Sequence, residues 1–327
     1  MASIGQQGNS WQTRVRRKGY PDITKSFNTR KDAERWARSV ETSLDRGTYI
    51  DPTEAEKVTL GDLIGRYIKE VLPSMKGYVE DSYRLKAIQR RDIAKINMAR
   101  LSSLQIASYR DERLTKVAPN TVIRELAYLS SVINHARREW GINIPNPVLM
   151  VRRPQMPKGR DRVITEEELK RLLEQLEPTG RRNVWMKPLV LLALETGMRT
   201  GELLRLQWID INLQKRTATL WETKNGERRI VPLSSEALEV LLFMPRSLCG
   251  AIFPLKAAAQ EKAFKEAVKR AGINDFRFHD LRHSAITRMA KKLPNLIELA
   301  SVSGHKSLRM LQRYYHPDPL ELATKLG

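Results

Sequence analysis

The chain has 327 residues, with 58 Lys plus Arg against 37 Asp plus Glu and a formal net charge of +21. Apolar residues make up 41%, enough for real cores, so the composition excludes a disordered chain and at roughly 100–200 residues per domain leaves room for two or three. The longest apolar run, 189–194, is far short of the ~20 residues that cross a bilayer, and the single cysteine, Cys249, excludes an internal disulfide framework or a cysteine-cluster zinc site. The polar start does not fit a secretory signal. The expectation is a cytoplasmic protein with a polyanionic partner and no membrane partner.

Residues 10–16 and 24–27 read as short strands around the turn residues Gly19, Pro21 and Asp22. Asn28 or Thr29 can cap a helix over 31–46 that stops at Gly47, with Ala33, Trp36, Ala37, Val40 and Leu44 on one face. Residues 1–54 are expected to form a small sheet-plus-helix module with a basic patch of Arg14, Arg16, Arg17 and Lys18. Residues 51–57 read as a linker. Thr59, with Asp62 three residues on, opens an amphipathic helix carrying Leu60, Leu63, Ile64, Tyr67, Ile68, Val71 and Leu72. Further helices are expected over 80–96, over 104–114, and from Pro119 or Asn120 to Trp140. The last has Val122, Leu126, Leu129, Ile133, Ala136 and Trp140 on one stripe. Residues 58–142 are thus expected to be an all-helical bundle.

Residues 143–161 contain Pro145, Pro147, Pro154 and Pro157 together with Arg152, Arg153, Lys158 and Arg160. This composition predicts a non-helical linker able to lie along a DNA backbone. The third part, 162–327, opens with a Thr165–Glu168 capping box and the stripe Leu169, Leu172, Leu173, Leu176. A buried helix should run to Thr196 and stop at Gly197, with another starting near Thr200. Strands over 217–222 and 228–233 flank Asn225–Gly226, a strong hairpin signal. Helices are expected over 236–244, 257–271, 280–292, 296–302 and 308–315. The fold class is mainly α with small β-sheets.

The charge excess is spread along the chain: +3 over 1–55, +8 over 56–155 and +10 over 156–327. A distributed excess fits a surface that surrounds nucleic acid better than a basic tail. No P-loop and no H-E-x-x-H motif is present. The third part instead concentrates Arg, Lys, His and Tyr at turns and helix ends. Arg199 follows a glycine helix stop, where a guanidinium fork can meet a phosphate. His279 and Arg282 share a helical face at i, i+3, which suits phosphoryl chemistry. Lys224 directly precedes the hairpin turn. His305 follows Gly304. On a helix over 308–315, Leu308, Leu311 and Tyr315 form one stripe, which leaves Tyr314 freer to face a cleft.

The order Arg199, Lys224, His279, Arg282, His305, Tyr314 resembles that of the tyrosine recombinases, the phage integrase family, over essentially the whole chain. Residues 196–208, with Thr-Gly-Met-Arg-Thr-Gly-Glu, resemble the family's first-arginine motif. Residues 278–287 resemble its H-x-L-R-H motif, and 303–316 its Gly-His motif, whose nucleophilic tyrosine lies nine residues after the histidine, here Tyr314. Tyr315 is the neighbouring alternative. From Tyr128 onward the chain is also similar to shufflon-type DNA invertases.

The resemblance implies a site-specific recombinase that cuts and rejoins DNA through a 3′-phosphotyrosyl link, without a cofactor. Tyr314 would be the nucleophile, Arg199 and Arg282 would hold the non-bridging oxygens, and Lys224 would protonate the leaving oxygen. His279 would assist proton transfer at the tyrosine, His305 would donate to the phosphate, and Glu202 and Asp280 would orient their neighbours. It also implies an arm-type DNA-binding module at 1–54, a core-type DNA-binding domain at 58–142, and a catalytic domain at 162–327. A homotetramer would act on two double-stranded DNA sites, with the tail after Tyr314 packing on a neighbouring subunit. An excisionase and a DNA-bending host factor are possible accessory partners. Integration of a mobile element, DNA inversion, and a non-catalytic DNA-binding regulator are the competing functional readings.

Overall fold

In the computed structural model, Thr13 and Val15 turn inward while Gln12 and Arg14 face solvent, the period-two alternation of a half-buried strand. The structure describes residues 2–46, 53–142, 144–157, 159–180, 183–221, 228–315 and 319–327. The chain divides into two units, 1–158 and 159–327.

In the first unit, strands β1 (Ala2–Gln7), β2 (Ser10–Val15) and β3 (Ile23–Phe27) form an antiparallel sheet in chain order, with Arg14 opposite Ser3 on one side and Thr24 on the other. Strand β1 is absent from the sequence reading because its glycine and glutamines show no apolar alternation; it forms as an edge strand on the hydrogen bonds of β2. Helix α1 (Arg30–Asp45) is capped by Thr29 and buries Ala33, Ala37, Val40 and Leu44.

Residues 53–57, expected in a linker, form the short helix α2 (Thr53–Lys57), because Ala55 is buried in the helical core. Helix α3 (Leu60–Glu70) starts with a reciprocal capping box. Thr59 N–H donates to the Asp62 carboxylate at 2.9 Å, and Asp62 N–H donates to Thr59 Oγ1 at 3.1 Å. Helix α4 (Tyr78–Gln89) stops short of the expected residue 96; a 3₁₀ turn over Asp92–Lys95 follows and buries Ile93 and Ala94. Helices α5 (Ser103–Leu114) and α6 (Pro119–Glu139) complete the core, and α6 buries the expected stripe as far as Ala136, with Trp140 half-buried just past its end. Between them lies a buried ion pair, Arg113–Glu125 at 2.8 Å, with the Tyr109 hydroxyl donating to the same carboxylate.

The proline-rich stretch is only partly a linker. Pro147–Met150 is a 3₁₀ turn capped by Asn146, and Ile144, Val148 and Val151 are buried in the helical core. Asn146 is itself buried, donating to Ser130 Oγ at 2.9 Å and to Asn134 Oδ1 at 3.0 Å.

In the second unit, helix α7 (Glu166–Gln175) begins with the Thr165–Glu168 capping box. Helix α8 (Met186–Thr196) is buried over most of its surface and ends at Gly197, whose φ of +59° is the left-handed conformation glycine adopts without strain. A single turn, α9 (Thr200–Leu203), follows. Strands β4 (Ile211–Asn212), β5 (Thr217–Leu220) and β6 (Arg229–Pro232) form an antiparallel sheet with Ala218 opposite Val231, both buried. The expected Asn225–Gly226 turn lies outside the described residues. Then come α10 (Ser235–Phe243), α11 (Ala257–Arg270), α12 (Phe278–Lys292), α13 (Leu296–Ser303) and α14 (Pro319–Leu326). The protein is mainly helical, with two small antiparallel sheets among the described residues. No helix among them is long and apolar enough to cross a membrane.

One further expectation is corrected here. Residues 308–315 are not one helix but two 3₁₀ turns, Leu308–Met310 and Gln312–Tyr314. With three residues per turn, Leu311 and Tyr314 share a side and join a small apolar cluster with Ile286, Ala290 and Leu299, while Leu308 is exposed. Arg160, expected to face DNA, is held by two carboxylates, Asp275 at 2.8 Å and Asp280 at 2.7 Å, at the start of α12.

Candidate active site

The site is built on helix ends, where unpaired backbone oxygens are available to hold cations. Gly197 closes α8 and brings the chain round so that Arg199 caps α9. One Glu202 oxygen accepts from the Arg199 guanidinium at 2.8 Å, and the other accepts Arg199 N–H at 3.0 Å. The second oxygen also takes Arg229, at 2.8 Å. Burial acts to raise the Glu202 carboxyl, but the Arg199 N–H and the charges of Arg229 and Arg199 outweigh it and hold the group below the usual carboxylate range.

Arg282, on the first turns of α12, is buried and forks between two main-chain oxygens. It donates to Gly197 O at 2.5 Å and to Ser303 O at 2.7 Å. Burial, then the charge of Arg199, pushes it down to about 10, so it remains a cation at neutral pH. Arg229 also donates to Val302 O at 2.8 Å and packs against Gly304, where an added Cβ would lie 2.5 Å from its guanidinium. The first-arginine turn, β6, α12 and the end of α13 thus converge through three guanidinium groups.

Ser303 sits at the end of α13 with its hydroxyl donating to Leu299 O at 2.6 Å. His305 Nδ1 lies 2.8 Å from Ser303 Oγ. With the hydroxyl proton committed to Leu299, Nδ1 must carry the proton of the neutral ring, which leaves a lone pair on Nε2. Burial, then Arg282, lowers His305 to about 4, so this neutral tautomer is the form present at pH 7.

Tyr314 is half-buried, its ring packed on the cluster of Ile286, Ala290, Leu299 and Leu311. Its hydroxyl lies 2.5 Å from Nδ1 of His283, and its ring centroid is 6.5 Å from that of His305. Burial raises the phenol, while Arg313 and Arg282 pull it down. His279 is the histidine expected to serve the tyrosine. His279 is exposed, its ring edge-on to His283 at 5.7 Å, and His283 is the histidine in contact with the hydroxyl.

Arg199, Arg282, His305 and Tyr314 thus fall into one constellation, with His279 one ring further out. Lys224 lies outside the described residues, as does Lys158. Tyr315 follows the turn that carries Tyr314, its N–H donating to Gln312 O at 3.2 Å. In the first unit, Asp22 lies between Arg14, at 2.5 Å, and Arg16, at 3.3 Å, and Arg17 pairs with Asp45, so this basic patch is partly neutralised from within. Lys18, Arg152 and Arg153 are exposed.

Arg229, His283 and Ser303 are missing from the sequence reading. The signals for the first two were present. Arg229 is two residues before the buried Val231, so strand alternation turns it inward. His283 is four residues after His279, on the same face of α12. No pattern singles out Ser303, whose role depends on the closeness of α13 to α12.

Comparison with known proteins gives this geometry a context. Residues 162–321 match the phage integrase family. The chain is 42% identical to the shufflon-specific DNA recombinase of Escherichia coli, over 83% of this chain and 72% of that protein. Among solved structures, the phage lambda integrase tetramer bound to a Holliday junction has a TM-score of 0.65 at 22% identity, covering 96% of this chain and 94% of its own. The Tn1549 transposon integrase, residues 82–397, bound to circular-intermediate DNA has a TM-score of 0.65 at 15% identity, covering 83% and 99%. The chain belongs to the phage integrase family, the tyrosine recombinases, and is a site-specific DNA recombinase.

Proposed function

We propose that this recombinase cuts DNA through a covalent 3′-phosphotyrosyl link at Tyr314, and that it integrates and excises a mobile element. The observation that carries the covalent step is the gathering of Tyr314, Arg199, Arg282 and His305 around one point, with the arginines pre-ordered by Glu202 and by main-chain oxygens. Two fixed cations suit the two non-bridging oxygens of a phosphate, where charge builds as phosphorus is attacked. The Tyr314 oxygen bonds to phosphorus, the bond to the 5′ oxygen breaks, and Lys224 supplies the proton that makes it a hydroxyl. His305 offers Nε2 to the phosphate and donates there once protonated, which the phosphate charge favours. His279 stands beside His283 as the next titratable group on the helix. The energy of the broken bond is kept in the tyrosyl ester, so rejoining needs no nucleotide.

In the same reading, 1–54 binds arm-type sites, 58–142 binds core-type sites and 162–327 is catalytic. Four protomers pair two double-stranded DNA sites in the cytoplasm, assisted by an excisionase and a DNA-bending host protein. Helix α14, with Leu320 and Leu326 exposed, is the segment that would pack on a neighbour. The sheet-plus-helix module supports integration. Inversion is the second reading, favoured by the 42% identity to the shufflon-specific recombinase.

The test is nicked cognate-site DNA incubated with the protein in EDTA, beside Tyr314→Phe and Tyr315→Phe. A covalent adduct lost only in Tyr314→Phe is expected; loss only in Tyr315→Phe moves the nucleophile, and no adduct from the wild type removes the proposal. Plasmids carrying two sites in direct or inverted orientation then separate excision from inversion.

A further inference from the structure

The group in contact with the Tyr314 hydroxyl, His283, has no part in the scheme above. We propose that His283 is the general base that takes the proton from the Tyr314 hydroxyl as that oxygen attacks phosphorus. This rests on the reading of Tyr314 as nucleophile.

The contact is built on fixed elements from both sides. His283 lies between two anchored residues of α12. Arg282 is pinned to Gly197 O and Ser303 O. Ser284 is fully buried, donates to Asp280 O at 2.9 Å and accepts Ile164 N–H at 3.1 Å. Tyr314 is held by its ring in the Ile286–Leu299–Leu311 cluster, next to the completely buried Leu311. The 2.5 Å separation between Oη and Nδ1 is therefore set by the packing of α12 against the last 3₁₀ turns. A base must be within hydrogen-bond reach of the group it deprotonates, about 2.6–3.2 Å between heavy atoms, and His283 Nδ1 lies at the short edge of that range from the Tyr314 oxygen.

The surroundings favour the accepting form of the ring. From its own helix His283 faces His279, Asp280 and Arg282; from the turn carrying the tyrosine it faces Arg313 and Tyr314; and from the turn after α13 it faces His305. Burial first, then His279 and Arg313, disfavours the imidazolium. The neutral ring then presents a lone pair at Nδ1, and the tyrosine donates.

The step balances. The Oη–H bond breaks and an Nδ1–H bond forms. The Oη–P bond forms and the P–O5′ bond breaks, with the 5′ oxygen protonated by Lys224. In the rejoining step the 5′-hydroxyl gives its proton back to Lys224 and attacks phosphorus, the P–Oη bond breaks, and His283 returns its proton to the departing tyrosyl oxygen, as microscopic reversibility requires.

The experiment is single-turnover adduct formation on nicked cognate-site DNA from pH 5.5 to 10. It compares the wild type, His283→Ala, His283→Asn and Tyr314→Phe, with DNA binding followed by gel shift. Asn is the informative replacement, because its amide reaches the Nδ1 position and keeps a hydrogen bond but cannot take a proton. We expect about 100-fold slower adduct formation at pH 7 in both His283 variants, with DNA binding kept and the gap closing as pH rises toward the phenol range. Full rate in His283→Asn, with an unchanged pH profile, overturns the proposal in favour of simple positioning. A rate within a few-fold of wild type in His283→Ala overturns it outright. If His283→Ala fails to bind DNA, His283→Asn decides alone. An adduct from Tyr314→Phe would instead remove the nucleophile on which the proposal rests.

Discussion

Glu202 and Arg229 meet at 2.8 Å with 2% and 11% of their side chains exposed, an ion pair almost wholly withdrawn from water. The pair links β6 to the turn that carries Arg199, and neither partner has solvent to replace the other. Glu202→Ala leaves two guanidinium groups facing each other and should lower stability by about 3–5 kcal/mol. Urea unfolding is the measurement. Acid has the same effect more gently. The Glu202 carboxyl is lowered on folding, so its contribution is complete above the unfolded value near 4.3 and is lost as pH falls through the lower folded value.

Arg160 and the two exposed arginines before it should respond differently to salt. Arg152→Ala and Arg153→Ala, if each removes one phosphate contact, should reduce the slope of log K against log salt by about 0.9. Arg160→Ala should leave that slope unchanged, because the group is already paired with Asp275 and Asp280. It should slow adduct formation instead, because Asp280 then loses its partner at the head of the helix that carries Arg282. Fluorescence titrations across a salt series, with the cleavage assay beside them, separate the two effects.

Gly304 is expected to tolerate no side chain. Its φ of +69° costs a non-glycine residue about 1–2 kcal/mol. A Cβ there would also sit 2.5–2.9 Å from the Arg229 side chain. Gly304→Ala should therefore lower the midpoint of thermal unfolding and slow cleavage, since Arg229 must leave Glu202 or Val302 O to make room. An unchanged melting temperature contradicts this account.

The DNA-free protein should lose stability in mild acid. His305 is held to about 4 by burial and by Arg282, against an ordinary value near 6.5. Between those values the unfolded chain binds the proton and the folded chain does not, so stability falls as pH drops through that window. His283, also lowered, adds in the same direction. His305→Gln should flatten the dependence, read by thermal unfolding at pH 7, 6, 5 and 4.

The parts legible in the sequence are those governed by local chemistry. The capping boxes at Thr59 and Thr165, the stop at Gly197 and the stripe of α6 each depend on a few adjacent residues, and each is found where its pattern places it. Edge strand β1 pairs with the adjacent β2 but carries no apolar alternation, and the buried Asn146 turn depends on Ser130 and Asn134 of α6, so no periodicity announces either. The 3₁₀ turns before Tyr314 show a different failure. The α-helical period assigned Tyr315 to the core, whereas a period of three brings Leu311 and Tyr314 together. In the site, the motif residues were readable by type and spacing. Arg229 and His283 needed alternation and helical period applied to charged residues as carefully as to apolar ones.

Arg282 takes its orientation from the carbonyls of Gly197 and Ser303, and a carbonyl is the one acceptor every amino acid carries. Its aim therefore does not depend on the identity of any neighbouring acceptor side chain. The surroundings of this arginine can diverge widely while the guanidinium keeps its place, provided the backbone path is kept. A programme of directed evolution toward new DNA sites can accordingly randomise the side chains around it, sparing the glycine turn and the end of α13, without having to rediscover the arginine's geometry each time.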